Sequence, residues 1–271
     1  MLRMLTKIKR MYKKKIGIYQ VEVEKEPSQK VESALEAIRD SKDLDLLCFP
    51  EMWLTGFMVD DGSINIAQEF LRMALEASTN LKTTIILGTL PERNGENIYN
   101  TAFVLKEGKV IGKRRKYFLF EPMGEKKFYS TGNLPEALTV DDNLSVGVII
   151  CYELRFPELT KLLAIKGCSI IFCPAQWPKE REEHWRTLLR ARAIESQIFM
   201  VGVNVVGKNK KFAFNGYSAI IDPYGNVILE ISKTSGLYKA TIDLKEVEAY
   251  RSDVPTIRDS QREGMNLWKV F

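Results

Sequence analysis

A chain of 271 residues with 45% apolar and 28% charged residues has the makeup of an ordinary globular protein, long enough for one large core. Its formal charge of +5 is spread over lysine-rich segments interleaved with glutamates. No basic stripe with aromatics appears, which argues against a nucleic-acid partner. No apolar run approaches the roughly 18 residues a membrane-spanning helix needs. Four cysteines, Cys48, Cys151, Cys168 and Cys173, form no CxxC pair, and His184 is the one histidine. Neither a disulfide framework nor the usual zinc ligand sets fit that inventory, so a reducing cytoplasm and a chain without metal or cofactor are expected.

Residues 1–14, MLRMLTKIKRMYKK, are basic and lack any acid. They read as a disordered N-terminal extension, with a targeting or membrane-surface segment as the competing reading. The first strand is expected from Lys15. Apolar, β-type runs then recur at 15–23, 44–52, 83–91, 100–116, 144–153, 168–176, 198–207, 217–231 and 237–244. Turn residues at Glu107-Gly108 and at Asp222 to Asn226 make hairpins of two of them. Helical spacing marks Val31, Ala34, Leu35 and Ile38 after a Pro27-Ser28 start, then Phe70, Met73, Ala74 and Ala77, then Trp185, Leu188, Leu189 and Ala193. A further helix is expected over Leu154–Ile165. Such a strand-rich α/β chain suits two mixed sheets packed face to face with helices outside. Residues 15–271 read as a single domain, ending in a polar tail from about Arg251.

The stretch VGVIICYELRFPEL puts Cys151 where a buried strand meets a helix. A helix start favours a thiolate, and the N–H of Tyr152 would face an oxyanion formed there. The alternative is a small buried hydrophobe, which free cysteines often are; Cys48, Cys168 and Cys173 lack this setting and read as core. His184, lying just ahead of an apolar helical face, fits a packing or polar-rim residue better than a base. Two other strand ends carry charge. In LDLLCFPEMWLTGF, Glu51 follows an apolar run and sits among Trp53 and Phe57, a setting for a base or for a solvated loop glutamate. In KVIGKRRKYFLF, Lys113, Arg114 and Arg115 read as a solvated face, whereas Lys116 enters an apolar run and, if inward, requires a counter-charge or an anionic ligand. Open α/β architectures gather such strand ends at one edge.

Taken in order, FPEMWLTGF, RKYFLF and CYELRFPEL resemble the motifs of the nitrilase superfamily of carbon–nitrogen hydrolases, across nearly the whole chain from Lys15. The resemblance matches Glu51 to the general base, Lys116 to the catalytic lysine and Cys151 to the nucleophile. The family's second motif usually carries a histidine where Phe118 stands here. GEKKFYSTG resembles the segment bearing a supporting glutamate, Glu125, and HWRTLLRARAIESQ a helix near the family's subunit interface.

What the resemblance implies is a four-layer αββα sandwich that forms a homodimer or larger assembly. It also implies a mechanism in which Glu51 takes the thiol proton as Cys151 attacks an amide. Lys116 and the Tyr152 N–H hold the oxyanion, ammonia leaves, and water hydrolyses a thioester. The CYELRFPE form is similar to that of omega-amidases rather than nitrilases, so the expected substrate is a small linear amide bearing a carboxylate. Arg155 is read either as the partner of that carboxylate or as an ion-pair partner of Glu153 or Glu158. Gln176 and Trp177 at a further strand end, with Phe57, are read as pocket residues, Trp177 equally as packing. N-carbamoyl amine hydrolysis and nitrile hydrolysis remain alternatives, and a non-catalytic binding protein on the same fold is a more distant one.

Overall fold

The computed structural model describes residues 12–57, 59–141 and 144–262. Its architecture follows from strands that are apolar on both faces, because such strands need a covering layer on each side. One sheet runs β5 (Lys109–Arg115), β4 (Asn97–Lys106), β3 (Thr84–Asn94), β2 (Leu46–Cys48), β1 (Lys13–Glu22) and β13 (Gly236–Asp243). The first three strands in the chain, β1, β2 and β3, pair in parallel, while β4, β5 and β13 add antiparallel edges. The other sheet runs β6 (Leu138–Asp141), β7 (Leu144–Val148), β8 (Ile170–Pro174), β9 (Phe199–Val203), β11 (Ala213–Ile221) and β12 (Val227–Ser232), with β7, β8 and β9 parallel. β10 (Val205–Lys208) stitches the two together, pairing parallel with the end of β1 and antiparallel with β11.

Side-chain alternation with a period of two sorts each strand into two cores. Ile16, Ile18, Leu46 and Cys48 face Val146, Val148, Ile170, Phe172 and Val201 across the space between the sheets. Their chain neighbours Leu47, Phe49 and Ile85 face outward onto α1 (Pro27–Arg39) and α2 (Asp61–Ser78) through Ala34, Ile38, Phe70 and Ala74. On the far side Ile149, Ile171 and Met200 meet Leu159 and Leu163 of α3 (Pro157–Ile165) and Trp185 and Leu189 of α4 (Glu182–Ser196). The result is an αββα sandwich, as the strand-to-helix ratio implies. Helix starts carry their own signals: Pro27 opens α1, and Asp60 caps α2 by accepting from the Ser63 N–H at 2.7 Å.

Three boundaries depart from the sequence reading. β1 begins at Lys13, whose register partner is Asp243. Lys14 pairs with Ile242 along the backbone and sends its ammonium 2.9 Å from Asp141. The extension assigned to residues 1–14 therefore ends before Lys13; residues 1–11 lie outside the described residues. The helix expected over Leu154–Ile165 divides into a tight turn, Cys151–Arg155, and α3, because Phe156 precedes a proline and takes an extended conformation. The described part of the tail expected from Arg251 is helical, in α5 (Lys245–Asp253) and α6 (Thr256–Arg262), and residues 263–271 lie outside the described residues; Arg251 donates to the Cys168 carbonyl at 2.9 Å and Ile257 is buried.

Helix α4 packs tightly onto the second sheet at Gly202 of β9. A Cβ there would sit 2.6 Å from a Leu189 methyl and 2.7 Å from the Trp185 ring. Gly202→Val is expected to destabilise the protein by about 1–3 kcal/mol through overpacking of the α4 layer, read as a lower midpoint in chemical denaturation at unchanged slope.

Candidate active site

The carboxyl ends of β2, β7 and β8 and the end of β5 meet at one edge of the sandwich, where chains leaving a sheet gather functional groups. After β2 the chain turns through Pro50 and Glu51 and is pinned to β3: the Thr89 N–H donates to the Pro50 carbonyl at 3.1 Å, and the Met52 N–H donates to Thr89 Oγ1 at 3.0 Å. Gly88 makes this turn sterically feasible. It adopts φ +66°, and a Cβ there would lie 1.7 Å from the Pro50 oxygen. Lys116 continues β5, its N–H held by the Asn100 carbonyl at 2.8 Å. Cys151 follows β7 with φ +47°, a left-handed conformation that costs a non-glycine residue about 1–3 kcal/mol and that marks functional turns.

These strand ends converge on a buried charge chain. The Lys116 ammonium, 1% exposed, lies 2.8 Å from Glu51 Oε1 and 2.8 Å from Glu125 Oε1. The same Glu51 oxygen accepts Asn100 Nδ2 at 2.9 Å, whereas Glu51 Oε2 accepts the Gln176 N–H at a longer 3.3 Å. Gln176 Nε2 in turn binds the carbonyls of Glu51 and Met52 at 3.0 and 3.1 Å, fixing the carboxylate's own backbone. Burial on its own would lower the Lys116 pKa, but the carboxylates of Glu51 and Glu125 outweigh it and hold the ammonium above the ordinary lysine range. Burial raises Glu125, against the pull of Lys116.

Cys151 faces this chain. It is partly open to a cavity, yet the surrounding protein raises its thiol well above the ordinary cysteine range, and the Glu51 charge raises it further while Lys116 pulls it down. The resting group is therefore a thiol, and its chemistry requires a base that removes the proton as the bond forms. The cavity, about 570 Å³ with its open mouth, is lined by Glu51, Lys116, Glu125 and Cys151 and walled by Phe57, Phe120, Tyr152, Trp177 and Phe214. Gln176 and Arg155 also line it, so the structure brings together every pocket residue expected from the sequence. Trp177 does both of its expected jobs: it is 4% exposed and packs on Trp185, yet it borders the cavity.

Other expectations are corrected. Arg155 pairs with neither Glu153 nor Glu158; its guanidinium lies 4.7 Å from the Trp177 ring centre and 3.4 Å from His184 Nδ1. His184 is exposed at this rim. Arg114, expected on a solvated face with its neighbours, is 5% exposed and donates to Glu153 at 2.8 Å. Strand parity explains it: Lys113 and Arg115 point outward to a shared partner, Glu92, while Arg114 and Lys116 point inward. Phe118, where the family pattern has histidine, stacks on Phe156 with ring centres 3.8 Å apart.

Sequence reasoning gave Asn100 and Arg114 no place in the site, and it treated Glu153 only as an ion-pair partner for Arg155. Glu153 Oε1 accepts Arg114, the Tyr117 N–H at 2.6 Å and the Phe118 N–H at 3.2 Å, while Oε2 accepts the Ile150 N–H at 2.7 Å. One buried carboxylate thus ties the Cys151 turn to the segment after Lys116. The available signal was an acid two residues beyond Cys151 on a run with no solvent-facing side. Glu153→Gln leaves the buried Arg114 charge unpaired and turns an amide NH2 against a donor. It is expected to lower stability by about 3–5 kcal/mol and to lower kcat more than it raises KM, measured by denaturation and steady-state assays.

The carbon–nitrogen hydrolase family model matches residues 15–252. A 2-oxoglutaramate amidase of Bacillus subtilis (strain 168) is 35% identical over 247 residues, covering 88% of this chain and 93% of its own. A deaminated glutathione amidase of Escherichia coli O157:H7 is 32% identical, covering 86% and 91%. Among solved structures, a carbon–nitrogen hydrolase from Helicobacter pylori G27 superposes with a TM-score of 0.84 at 19% identity over 94% of this chain and 98% of its own, a likeness of fold. With the family model spanning nearly the whole sandwich, the chain belongs to the carbon–nitrogen hydrolase family, in its nitrilase-superfamily, omega-amidase-like branch.

Proposed function

We propose that this amidohydrolase cleaves small linear amides bearing a carboxylate, to acid and ammonia, with Cys151 as nucleophile, Glu51 as general base and acid, and Lys116 as oxyanion partner. The observation that carries the reading is the buried Glu51–Lys116–Glu125 chain opening onto the same cavity as Cys151. In the first step Cys151 Sγ bonds to the amide carbon while its proton passes to Glu51. The carbonyl oxygen gains the electron pair and is held by Lys116 and the Tyr152 N–H. The tetrahedral species collapses, the C–N bond breaks, and Glu51 returns the proton to the departing ammonia. A water deprotonated by Glu51 then attacks the thioester, and the thiol leaves with that proton. Glu125 keeps Lys116 pointed at the oxyanion. Phe57, Gln176 and Trp177 shape the pocket, and Arg155 pairs with the substrate carboxylate. The name of the Bacillus relative, a 2-oxoglutaramate amidase, supports an α-keto acid ω-amide as the substrate class.

The same reading takes the chain from Lys13 onward as one catalytic domain, working as a homodimer or higher homo-oligomer in a reducing cytoplasm. Support for the pairing is an apolar surface beside α4, where Ile194, Tyr224, Val227 and Ile228 are each exposed. Support for the compartment is that all four cysteines are unpaired. Among the described residues no helix is long and apolar enough to cross a membrane.

The test is ammonia release across ω-amides, N-carbamoyl amines and nitriles; a carbamoyl substrate also gives carbon dioxide, and a nitrile takes up a second water. Cys151→Ser is expected to abolish turnover, and hydrolysis at the parental rate by that variant would end the mechanism. Glu51→Gln is expected to lower kcat by roughly 10²–10⁴-fold. Because the Glu51 charge helps raise the Cys151 thiol, its removal leaves burial opposed by Lys116, and the thiol ionises at lower pH than in the parent. Alkylation by iodoacetamide should therefore reach half its plateau rate at lower pH in Glu51→Gln, even as amide hydrolysis is lost.

A further inference from the structure

The cavity carries a second guanidinium that the proposed reaction does not use. Arg181 reaches it from the short turn Lys179–Arg181 that leads into α4, while Arg155 reaches it from the turn that carries Cys151. Among the described residues neither pairs with a carboxylate. Arg155 covers the Trp177 ring, and Arg181 lies 6.0 Å from the centre of the Phe120 ring. One indole sets both positions, because Trp177 Nε1 donates to the Arg181 carbonyl at 2.7 Å while its face carries Arg155. The carboxylates that line the cavity, Glu51 and Glu125, are both committed to Lys116. Among the described residues the region of the two arginines therefore holds two cations without a counter-ion, beside the aromatic walls formed by Trp177 and Phe120. Burial lowers the Arg155 pKa and the nearby Arg181 charge lowers it further, as expected of two like charges awaiting an anion.

We propose that Arg181 is the second arm of an anion clamp, sharing with Arg155 the substrate's carboxylate and the oxygen acceptor next to it. This rests on the carboxylate-bearing amide reading given above and adds a specificity determinant to it. An α-keto acid ω-amide presents a carboxylate and an adjacent carbonyl oxygen, all acceptors in one plane, to two planar donor forks. The corresponding α-amino acid amide presents an ammonium at that place. It would meet two guanidiniums and no available carboxylate, so the clamp admits the keto acid and turns the amino acid away.

The experiment compares kcat/KM for four amides of matched length: the α-keto acid ω-amide, the plain dicarboxylic acid monoamide, the α-amino acid amide and a neutral aliphatic amide. It uses the full-length protein and its Arg181→Met, Arg181→Lys and Arg155→Met variants. The Arg181 side chain is exposed and only its backbone carbonyl ties Trp177, so the Met variant is expected to unfold at the parental temperature. In Arg181→Met the keto acid to neutral amide ratio should fall about tenfold or more, mainly through KM, and the keto acid to amino acid ratio should fall with it. Arg181→Lys, which keeps charge but not the fork, should recover part of the first ratio. The clamp is overturned if Arg181→Met leaves both ratios unchanged while Arg155→Met lowers them, since Arg155 then acts alone. It is equally overturned if Arg181→Met lowers all four amides alike. A parental enzyme with no preference for anionic over neutral amides removes the carboxylate reading itself and the clamp with it, a result visible before any variant is made.

Discussion

The position of everything in this site follows from one buried ammonium. Lys116 has almost no contact with solvent, and taking an ion of that size out of water costs several kcal/mol even after the protein relaxes. Two carboxylates at hydrogen-bond distance offset that cost, and each requires the chain to be held in an unusual way. Glu51 stands on a turn that depends on Gly88, and Glu125 follows Gly124 in a left-handed conformation. With both in place, Glu51 Oε1 accepts from Lys116 and Asn100 at 2.8 and 2.9 Å, while Oε2 takes the longer Gln176 contact at 3.3 Å. Oε2 is thus the oxygen with capacity for a proton. The charge chain orients the Glu51 carboxylate as well as binding the cation.

A second buried ion pair keeps the first in register. Arg114 and Lys116 lie on the same face of β5, one residue between them, and point into the molecule together. Arg114 meets Glu153, whose other oxygen holds the Ile150 N–H at the start of the Cys151 turn. The strained φ of Cys151 persists because that turn is tied on both sides, to the preceding strand end and to the segment after Lys116. Breaking either pair exposes a buried charge to an apolar interior, so the two networks stand or fall as geometry before chemistry begins.

The layer order, the three interior strand ends and the residues on them were legible in the sequence. Apolar runs without a polar face require cover on both sides; Glu51 and Cys151 each end such a run and Lys116 opens one. Arg114 was not legible, because KRR reads as surface until strand parity is known, and parity depends on a pairing partner far away in sequence. Asn100 was equally silent: it sits in an ordinary strand, and its role arises only where β4 passes under the turn after β2. The boundaries at Lys13, Pro157 and Arg251 moved for local reasons, namely a strand partner in β13, a pre-proline residue and a helix docked on α3. None of these is encoded in composition.

The scarcity of histidine is the constraint that decides how such a thiol works. An imidazole partner would share a proton with cysteine and favour a standing ion pair. Here the neighbouring carboxylate does the opposite, since its charge raises the thiol. In the proposed reaction Cys151 stays protonated until a carbonyl carbon arrives to take the electron pair, and the negative charge that develops then lies on oxygen, near Lys116, instead of on sulfur near Glu51. In that reaction the contact between Lys116 and the developing oxyanion is made only in the tetrahedral species, a stabilisation absent from the ground state and so one that lowers the barrier. The proposed base lies a hundred residues upstream in the chain, and the fold delivers it to the same cavity as Cys151, beside the Lys116 ammonium.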